Sequence, residues 1–301
     1  DLSGFGRCSL TAAISVISAM GIQACPLPTA ILTAQTGYPH YYLDDYTDKM
    51  DIYRQEWQKM GQHFDGIYTG FVASEAQIDQ IFHFIDTFYT SDTFLLVDPV
   101  MGDDGIKYDM FTPKLLKKMK ALVGEADIIT PNLTELCLLT DADYDAIIDI
   151  ADTRILIDVI GELASTLLPP DSDNSNTLDS RQTSKKEKEI IVTGIHCKNE
   201  HGQKMMGNLY VSKDTRKLFA FPHVGGSYSG TGDLFASCLA AGIARGDDIP
   251  STIETAGAFL EAALIDTVKE NIPRNDGINY EQYLSMLLPK QEAFTGNSCN
   301  L

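Results

Sequence analysis

Short apolar runs and amphipathic stretches alternate along most of the 301-residue chain. Apolar runs bounded by turn-forming residues predict buried strands, and apolar residues that recur every three or four positions predict helices. The predicted strands cover residues 25–33, 64–69, 93–97, 127–130 and 189–194, and the predicted helices cover residues 9–20, 45–62, 74–89, 113–123 and 145–168. This steady alternation predicts a parallel sheet with helices on both faces. The predicted fold class is α/β, with three layers (α/β/α) around a mostly parallel sheet.

The pattern differs at the two ends of the chain. Residues 206–212 and 217–221 alternate polar and apolar side chains, which predicts an antiparallel pair of strands. Helices are predicted over residues 234–241, 249–269 and 280–288, the last of them amphipathic. A glycine-bearing loop over residues 1–8 has no recognisable strand before it, although such a loop normally follows one. We therefore expect the first strand to be missing.

One polar stretch interrupts the pattern. Residues 169–188 contain Asp, Ser, Asn and Lys and hardly an apolar side chain. Such a composition predicts a flexible surface insertion, and the strand predicted directly afterwards argues against a domain boundary. We therefore expect one domain over residues 1–290, followed by a tail over residues 291–301 with no structural signal of its own.

Charge and cysteine content narrow the possible partners. The formal net charge is −19 with no compensating basic run, which argues against a nucleic acid or an anionic membrane as partner. The six cysteines form no C-x-x-C pair and no metal-binding spacing with the six histidines, as expected for core cysteines in a reducing compartment. No signal peptide and no apolar run of membrane-spanning length is recognisable, so a cytoplasmic location is expected.

The stretch from Gly225 to Ala236 carries the strongest chemical signal. It contains four glycines and an acid, Asp233, directly before an apolar helix. Glycines let successive backbone N–H groups point at one spot, and a helix N-terminus adds further donors and partial positive charge. We therefore expect an anion site here, with Asp233 as a general base beside a bound phosphoryl group. Ordinary capping of the helix by Asp233 stays open on this motif alone.

Further polar residues follow the predicted strands, where ligands of parallel sheets gather. These strand-end residues are Thr36, Gly70, Asp98, Asp103, Thr130, Asn132, Glu135, Thr193 and Asp233. Asp98 and Glu135 could supply negative charge for Mg²⁺ on nucleotide phosphates, while Asn132 and Glu135 could equally be a helix cap and its partner. The segment from Gly102 to Gly105 is interpreted either as a hinged lid or as a surface turn.

Three motifs together resemble the ribokinase superfamily, and within it the vitamin B6 (pyridoxal/pyridoxamine) kinases. They are Gly230 to Asp233, Asp98 to Asp103 and Thr130 to Glu135, and the resemblance runs from Ser3 to about Leu288. It implies ATP-dependent phosphorylation of the 5′-hydroxyl of pyridoxal, pyridoxamine or pyridoxine. It also implies Mg²⁺, a monovalent cation such as K⁺, and a homodimer.

The resemblance also implies roles for individual residues. On the phosphate side, Asp233 matches the catalytic base, and the amides of Gly230, Thr231 and Gly232 match the anion hole. Asp98 and Glu135 match the acids near the metal. The nucleotide contacts that the resemblance implies are Asn132, Glu135, Thr130, Thr193, Val211, Phe221 and Val224.

On the substrate side, Thr36 matches a threonine that contacts the pyridine ring. The family's Asn and His before it are replaced by Ala34 and Gln35, a departure that bears on ring recognition. Phe71 stands where a Gly-Tyr is usual in some members, so ring stacking is kept and the hydroxyl is lost. The N-terminal loop is expected to add a polar contact from Asp1 or Ser3.

Three other functions compete with this interpretation. Hydroxymethylpyrimidine kinase shares the Gly-Thr-Gly-Asp region and a small heteroaromatic alcohol as substrate. A non-catalytic B6-vitamer binding protein would not need Asp233, Asn132 and Glu135 together. A dinucleotide-dependent oxidoreductase would need G-x-G-x-x-G, and the segment from Gly4 to Ser9 lacks the third glycine.

Overall fold

The computed structural model describes residues 1–170 and 186–289. The described strands, in chain order, are β1 (Leu2–Ser3), β2 (Ala30–Leu32), β3 (Leu43–Asp45), β4 (Gly66–Thr69), β5 (Phe94–Val97), β6 (Gly102–Asp103), β7 (Ile106–Lys107), β8 (Ile128–Ile129), β9 (Glu189–Lys198), β10 (Lys204–Val211) and β11 (Arg216–Pro222). The described α-helices are α1 (Ser9–Ala19), α2 (Thr47–Lys59), α3 (Glu75–Phe88), α4 (Pro113–Glu125), α5 (Leu133–Thr140), α6 (Tyr144–Ile148), α7 (Thr153–Ser165), α8 (Thr231–Arg245) and α9 (Ile249–Lys269). Short 3-10 helices cover Arg274–Asp276 and Glu281–Leu287.

The central sheet has six strands in the order β11-β10-β9-β8-β5-β4. β4, β5, β8 and β9 pair in parallel, whereas β9, β10 and β11 pair antiparallel. A second sheet holds β1, β2 and β3, and β6 and β7 form a separate hairpin. The predicted α/β class with a mostly parallel central sheet and the predicted antiparallel pair are both confirmed.

Helices cover both faces of the central sheet. Along β5, Leu95 and Val97 enter one core cluster, while Phe94 and Leu96 enter the other, because successive side chains of a strand point to opposite faces. The first cluster includes buried residues of α3, α4, α5 and α7, and the second includes buried residues of α1, α8 and α9. Burial on both faces explains why β5 is an unbroken apolar run. Within the described residues, no helix is both long and apolar enough to cross a membrane.

Several predicted element bounds were wrong. The strand predicted over residues 25–33 shortens to β2, because Pro26 and Pro28 lack the N–H that a strand ladder needs. The single helix predicted over residues 145–168 is two helices, since Asp152 starts α7 by accepting hydrogen bonds from the backbone N–H groups of Arg154 and Ile155 at 2.8 and 3.2 Å. The amphipathic segment predicted over residues 280–288 is a 3-10 helix.

The N-terminal segment, predicted as a loop over residues 1–8, begins with a short strand. Leu2 and Ser3 form β1, which pairs in parallel with Ile31 and Leu32 of β2. Most of the polar insertion predicted over residues 169–188, and all of the tail from residue 291, lie outside the described residues.

Candidate active site

The acidic side of the candidate site begins with Asp98, directly after β5. Its backbone N–H donates to the carbonyl oxygen of Thr69 at 2.9 Å, which continues the pairing of β4 with β5. The hydroxyl of Thr130, the residue after β8, donates to Asp98 Oδ1 at 3.0 Å. The Asp98 side chain is only 6% exposed. The carboxyl ends of β4, β5 and β8 therefore meet around a buried carboxylate.

Asn132 and Glu135 form a capping box at the start of α5. Asn132 Oδ1 accepts from the Glu135 N–H at 2.9 Å, and Glu135 Oε2 accepts from the Asn132 N–H at 2.8 Å. The same two side chains reach outside the helix, since Met101 N–H donates to Glu135 Oε1 at 3.0 Å and Asn132 Nδ2 donates to the Gly102 carbonyl at 2.8 Å. The capping interpretation is confirmed, and the cap also ties α5 to the segment that follows Asp98.

The segment from Gly102 to Lys107 is a tight hairpin. Asp104 and Gly105 both have positive φ, 49° and 78°, as a two-residue type I′ turn requires. The Gly105 N–H donates to Thr134 Oγ1 at 2.8 Å, and a Cβ at Gly105 would lie 2.6 Å from the Tyr144 ring. The hairpin therefore rests on α5 and α6, at the edge of the acidic site.

The glycine loop leads into α8 on the opposite side of the site. Gly230 has φ of 81°, and a Cβ there would lie 2.0 Å from the Arg7 carbonyl oxygen, so only glycine fits. Nothing lies within 4 Å of the position that a Gly232 Cβ would take. The N–H groups of Thr231, Gly232 and Asp233 donate to no acceptor in the described part of the chain. Their open donors and the positive end of the helix dipole make this helix start suited to an anion.

Asp233 lies in the first turn of α8 but does not cap it. Its Oδ2 accepts a hydrogen bond from the backbone N–H of Ser9 at 2.7 Å, so it binds the start of α1 instead. Ser9 has φ of 51°, an uncommon conformation for serine, which this bond holds. Among residues 1–170 and 186–289, no donor is hydrogen-bonded to Asp233 Oδ1. One carboxylate oxygen is therefore anchored and the other remains available.

Burial raises the pKa of all three carboxylates of the site, and neighbouring negative charges add to the rise at Asp98 and Glu135. Burial, followed by the charge of Asp233, raises the pKa of Asp98 to about 7. Burial and then the charge of Asp98 raise the pKa of Glu135, and burial raises the pKa of Asp233. A bound cation would relieve this repulsion, because it favours the charged form of each acid.

The donor set at Asp98 and Glu135 fits Mg²⁺, which prefers oxygen ligands and keeps several waters. No group of three or more His, Cys, Asp or Glu side chains suited to hold a metal occurs within the described ranges. Both oxygens of Glu135 already accept backbone N–H groups, so this residue fits an indirect role through water. Substrate phosphates would have to complete the coordination, as they do in many nucleotide sites.

The predicted nucleotide contacts are only partly brought together. Thr193 lies beside Asn132 in a parallel bridge, and its N–H donates to the Pro131 carbonyl at 2.9 Å. Val211 is fully buried in the core and pairs with Ile190, at the level of Ile129 rather than of Asn132. Val211 is therefore a buried core residue at the end of β10, with no exposed side-chain surface for a ligand.

The last two predicted nucleotide contacts, Phe221 and Val224, lie before the glycine loop. Phe221 packs against α9, where a Cβ at Gly257 would lie 2.0 Å from its ring. Val224 is half-buried in the segment that leads into the glycine loop. A cavity of about 420 Å³ lies nearby, lined by His196, His223 and Thr153 among others, but neither Asp98 nor Asp233 lines it.

The predicted substrate residues differ in accessibility. Ser3 is fully buried and its hydroxyl donates to Asp1 Oδ2 at 2.8 Å, so its hydroxyl already has a partner. Thr36 is exposed, and Phe71 is half-buried just after β4. Gln35 closes its loop onto the C-terminal segment, since its Nε2 donates to the Asn275 carbonyl at 3.0 Å and to Ser229 Oγ at 3.3 Å.

Two residues that the sequence analysis did not single out also lie at the site. Tyr108 follows the hairpin, and burial, followed by the charges of Asp103 and Glu135, raises its pKa to about 12. Arg274 lies 3.6 Å from Asp103, measured from its Nη2 to the carboxylate Oδ2. Tyr108 could have been inferred from its place beside the suspected lid. Arg274 carried no signal, because it comes from a distant part of the chain.

This sheet topology, with a buried acid at the strand ends and open N–H groups at a helix start, is that of the ribokinase-like kinases. The chain belongs to the phosphomethylpyrimidine kinase family, whose model matches residues 6–275.

Solved structures agree with that assignment. A Bacteroides thetaiotaomicron protein assigned as a phosphomethylpyrimidine kinase and solved with pyridoxal is 32% identical, with a TM-score of 0.80 over 97% of this chain and 95% of the other. The pyridoxal kinase of Lactobacillus plantarum is 25% identical, with a TM-score of 0.78 over 95% and 94% of the two chains.

A curated relative is similar over a shorter region. A Schizosaccharomyces pombe protein assigned as a pyridoxal kinase is 29% identical over 194 residues, which are 64% of this chain. The aligned region spans about half (50%) of the length of that relative.

Proposed function

We propose that the chain is an ATP-dependent kinase that phosphorylates the 5′-hydroxyl of pyridoxal, pyridoxamine or pyridoxine. The observation that carries the proposal is the pairing of open N–H groups at Thr231 and Gly232 with the carboxylate of Asp233, whose Oδ1 carries no hydrogen bond within the described residues. A phosphate held by these N–H groups and an alcohol held by the Asp233 carboxylate would be adjacent. The pyridoxal in the similar Bacteroides thetaiotaomicron structure supports a B6 vitamer as the alcohol.

In the proposed reaction, Asp233 accepts the proton of the substrate hydroxyl while the hydroxyl oxygen of the substrate attacks the terminal phosphorus of ATP. A phosphorus–oxygen bond forms to the acceptor, the bond to the bridging oxygen breaks, and ADP leaves. The N–H groups of Thr231 and Gly232 stabilise the charge on the phosphoryl oxygens. The hydrogen bond from Ser9 fixes the Asp233 carboxylate, so that its other oxygen keeps a constant direction.

Asp98 and Glu135 would hold Mg²⁺, Glu135 through water. When bound, Mg²⁺ would neutralise charge on the nucleotide phosphates. The hydroxyl of Thr130 positions the Asp98 carboxylate, and the backbone N–H of Asn132 positions the Glu135 carboxylate. Thr193, Phe221 and Val224 remain proposed nucleotide contacts, and Val211 is not among them. The homodimer, the cytoplasmic location and the monovalent cation remain predictions from the sequence.

On the acceptor side, Thr36 and Phe71 remain the proposed contacts of the pyridine ring. Thr36 is exposed on the loop that Gln35 ties to Asn275, so ring binding there would require this loop to stay closed. Ser3 contributes by holding Asp1, whose other oxygen accepts from the Ser9 hydroxyl at 2.8 Å. Through Ser9, this network reaches the base Asp233.

Hydroxymethylpyrimidine is the alternative acceptor, because the matching family model is that of the phosphomethylpyrimidine kinases. Both acceptors are small heteroaromatic alcohols, and the anion site and base would serve either. The two acceptors differ only in their ring, so the residues proposed to recognise the ring would decide between them. These residues are Gln35, Thr36 and Phe71.

An acceptor panel tests the proposal. The protein is incubated with Mg-ATP and, separately, with pyridoxal, pyridoxamine, pyridoxine or hydroxymethylpyrimidine, and ADP release and the mass of the product are measured. A vitamer whose 5′-hydroxyl is replaced by hydrogen is the control. We expect a phosphorylated B6 vitamer and no product from the control. Turnover of hydroxymethylpyrimidine alone would select the alternative, and tight vitamer binding without ATP turnover would favour a binding protein.

A further inference from the structure

Arg274 connects the two sides of the candidate site. Its guanidinium Nη2 lies 3.6 Å from Oδ2 of Asp103 in the hairpin and donates to Ser227 Oγ of the glycine loop at 3.3 Å. Its backbone is fixed, because the Ser229 N–H donates to the Arg274 carbonyl at 3.1 Å. The side chain therefore bridges the hairpin at the edge of the acidic site and the glycine loop that leads into α8.

The charges around Arg274 are mostly negative. Asp98, Asp103, Glu135 and Asp233 gather at this end of the sheet in a chain with a net charge of −19. Of the ion pairs seen in the described part of the chain, the Arg274–Asp103 pair alone involves one of these four carboxylates. A polyphosphate that enters such a site needs a cation to offset the acids, and Arg274 is in place to provide one.

The ion pair between Arg274 and Asp103 is weak enough for Arg274 to exchange Asp103 for another anionic partner. The two side chains are 60% and 43% exposed, and solvent screens exposed ion pairs so strongly that they contribute little to stability. The single 3.6 Å contact is also longer than a charge-assisted hydrogen bond. A phosphate offers several acceptor oxygens and more than one negative charge, which match the planar fork of arginine better than a single carboxylate oxygen does.

We propose that Arg274 leaves Asp103 when nucleotide binds and holds its terminal phosphates from the side opposite the N–H groups of Thr231 and Gly232. This inference rests on the proposed kinase function and adds a phosphate-binding residue to it. The competing role is a structural one, in which Arg274 only fastens the hairpin to the glycine loop. The two roles make opposite predictions for Asp103, because a fastener needs both partners and a phosphate ligand needs only the arginine.

The test measures binding of a non-hydrolysable ATP analogue with Mg²⁺ by titration calorimetry, without any acceptor. We expect Arg274→Gln to weaken binding about 10- to 100-fold, the range for a lost charge-assisted hydrogen bond, and Arg274→Lys to weaken it less. Asp103→Asn should bind as tightly as the unchanged protein or more tightly. Arg216→Gln is the matched control, since Arg216 forms a similarly exposed pair with Glu162 of α7 and neither residue contacts any of the four acids.

Thermal unfolding without nucleotide should be the same for Arg274→Gln and the unchanged protein. If Arg274→Gln binds the analogue like the control, or if Asp103→Asn loses as much affinity as Arg274→Gln, the inference is wrong while the kinase proposal stands. If the unchanged protein binds no ATP analogue and phosphorylates no acceptor, the kinase proposal fails and the inference fails with it.

Discussion

Replacing Asp233 by asparagine would separate the proposed base from its structural role. The amide oxygen of asparagine can still accept the Ser9 N–H, which now reaches Asp233 Oδ2 at 2.7 Å, so α1 should stay in place. The amide cannot accept the proton of the attacking alcohol. General-base catalysis contributes roughly 10²–10⁴ in rate, or about 3–5 kcal/mol of the barrier, and we expect kcat to fall by that factor.

In Asp233→Asn, the stability of the fold and the affinity for ATP should be retained although kcat falls. Asp233→Asn removes a buried charge that raises the pKa of Asp98, so the variant should unfold no more easily than the unchanged protein at neutral pH. Its affinity for ATP should be kept, because the N–H groups at the start of α8 are unchanged. Since burial raises the pKa of Asp233, activity of the unchanged protein should fall at a higher pH on the acid side than for an exposed carboxylate.

The assay is steady-state phosphorylation of the best acceptor, with ATP binding and unfolding by urea measured on the same samples. Asp79→Asn is the control, because Asp79 pairs only with Lys118 on the surface. Near-normal kcat in Asp233→Asn would refute the assignment of the base. Loss of ATP binding or of folding would mean that the carboxylate acts through structure instead.

The remaining predictions concern the acid pair and the glycine loop. Because burial and Asp233 raise the pKa of Asp98 to about 7, its ionisation costs stability that is absent below about pH 4 and grows as pH rises through about 7. In Mg²⁺-free buffer, Asp98→Asn should therefore stabilise the fold by up to about 4 kcal/mol at pH 8 and by less at pH 5, and urea unfolding at both values would show it. A difference that does not grow with pH would contradict the charge argument. Gly230→Ala should cost about 2–5 kcal/mol, from its φ of 81° and the clash with Arg7, whereas Gly232→Ala, with open space around it, should leave unfolding nearly unchanged. Equal unfolding curves for the two alanine variants would show that the loop adapts.

Sequence patterns predicted helices and strands well where the structure of a segment depends on residues within that segment. The apolar periodicity of α9 gave its bounds, Ile249–Lys269, and the spacing of Asn132 and Glu135 indicated a capping box that the structure contains. The strand predicted over residues 25–33 was too long, although its two prolines were visible in the sequence. The break before α7 depends on a single cap, Asp152, within an otherwise helical pattern.

The site was less predictable because distant segments build it. Motifs placed Asp98, Glu135 and Asp233 at strand ends or a helix start, and the fold does bring their charges together. Nothing in the sequence showed that Asp233 would hold Ser9 or that Arg274 would face Asp103, since both contacts join segments far apart in the chain. The complete burial of Val211, which argues against a nucleotide contact, could not be inferred from the sequence either.

A crystal structure of the protein with Mg²⁺, a non-hydrolysable ATP analogue and pyridoxine would test the central claim most directly. We predict that the terminal phosphate accepts hydrogen bonds from the N–H groups of Thr231 and Gly232. We also predict that the 5′-hydroxyl lies about 2.6–3.2 Å from a carboxylate oxygen of Asp233, the distance that proton transfer requires. A phosphate bound elsewhere, such as the cavity beside His196 and His223, or a hydroxyl turned away from Asp233, would contradict the account.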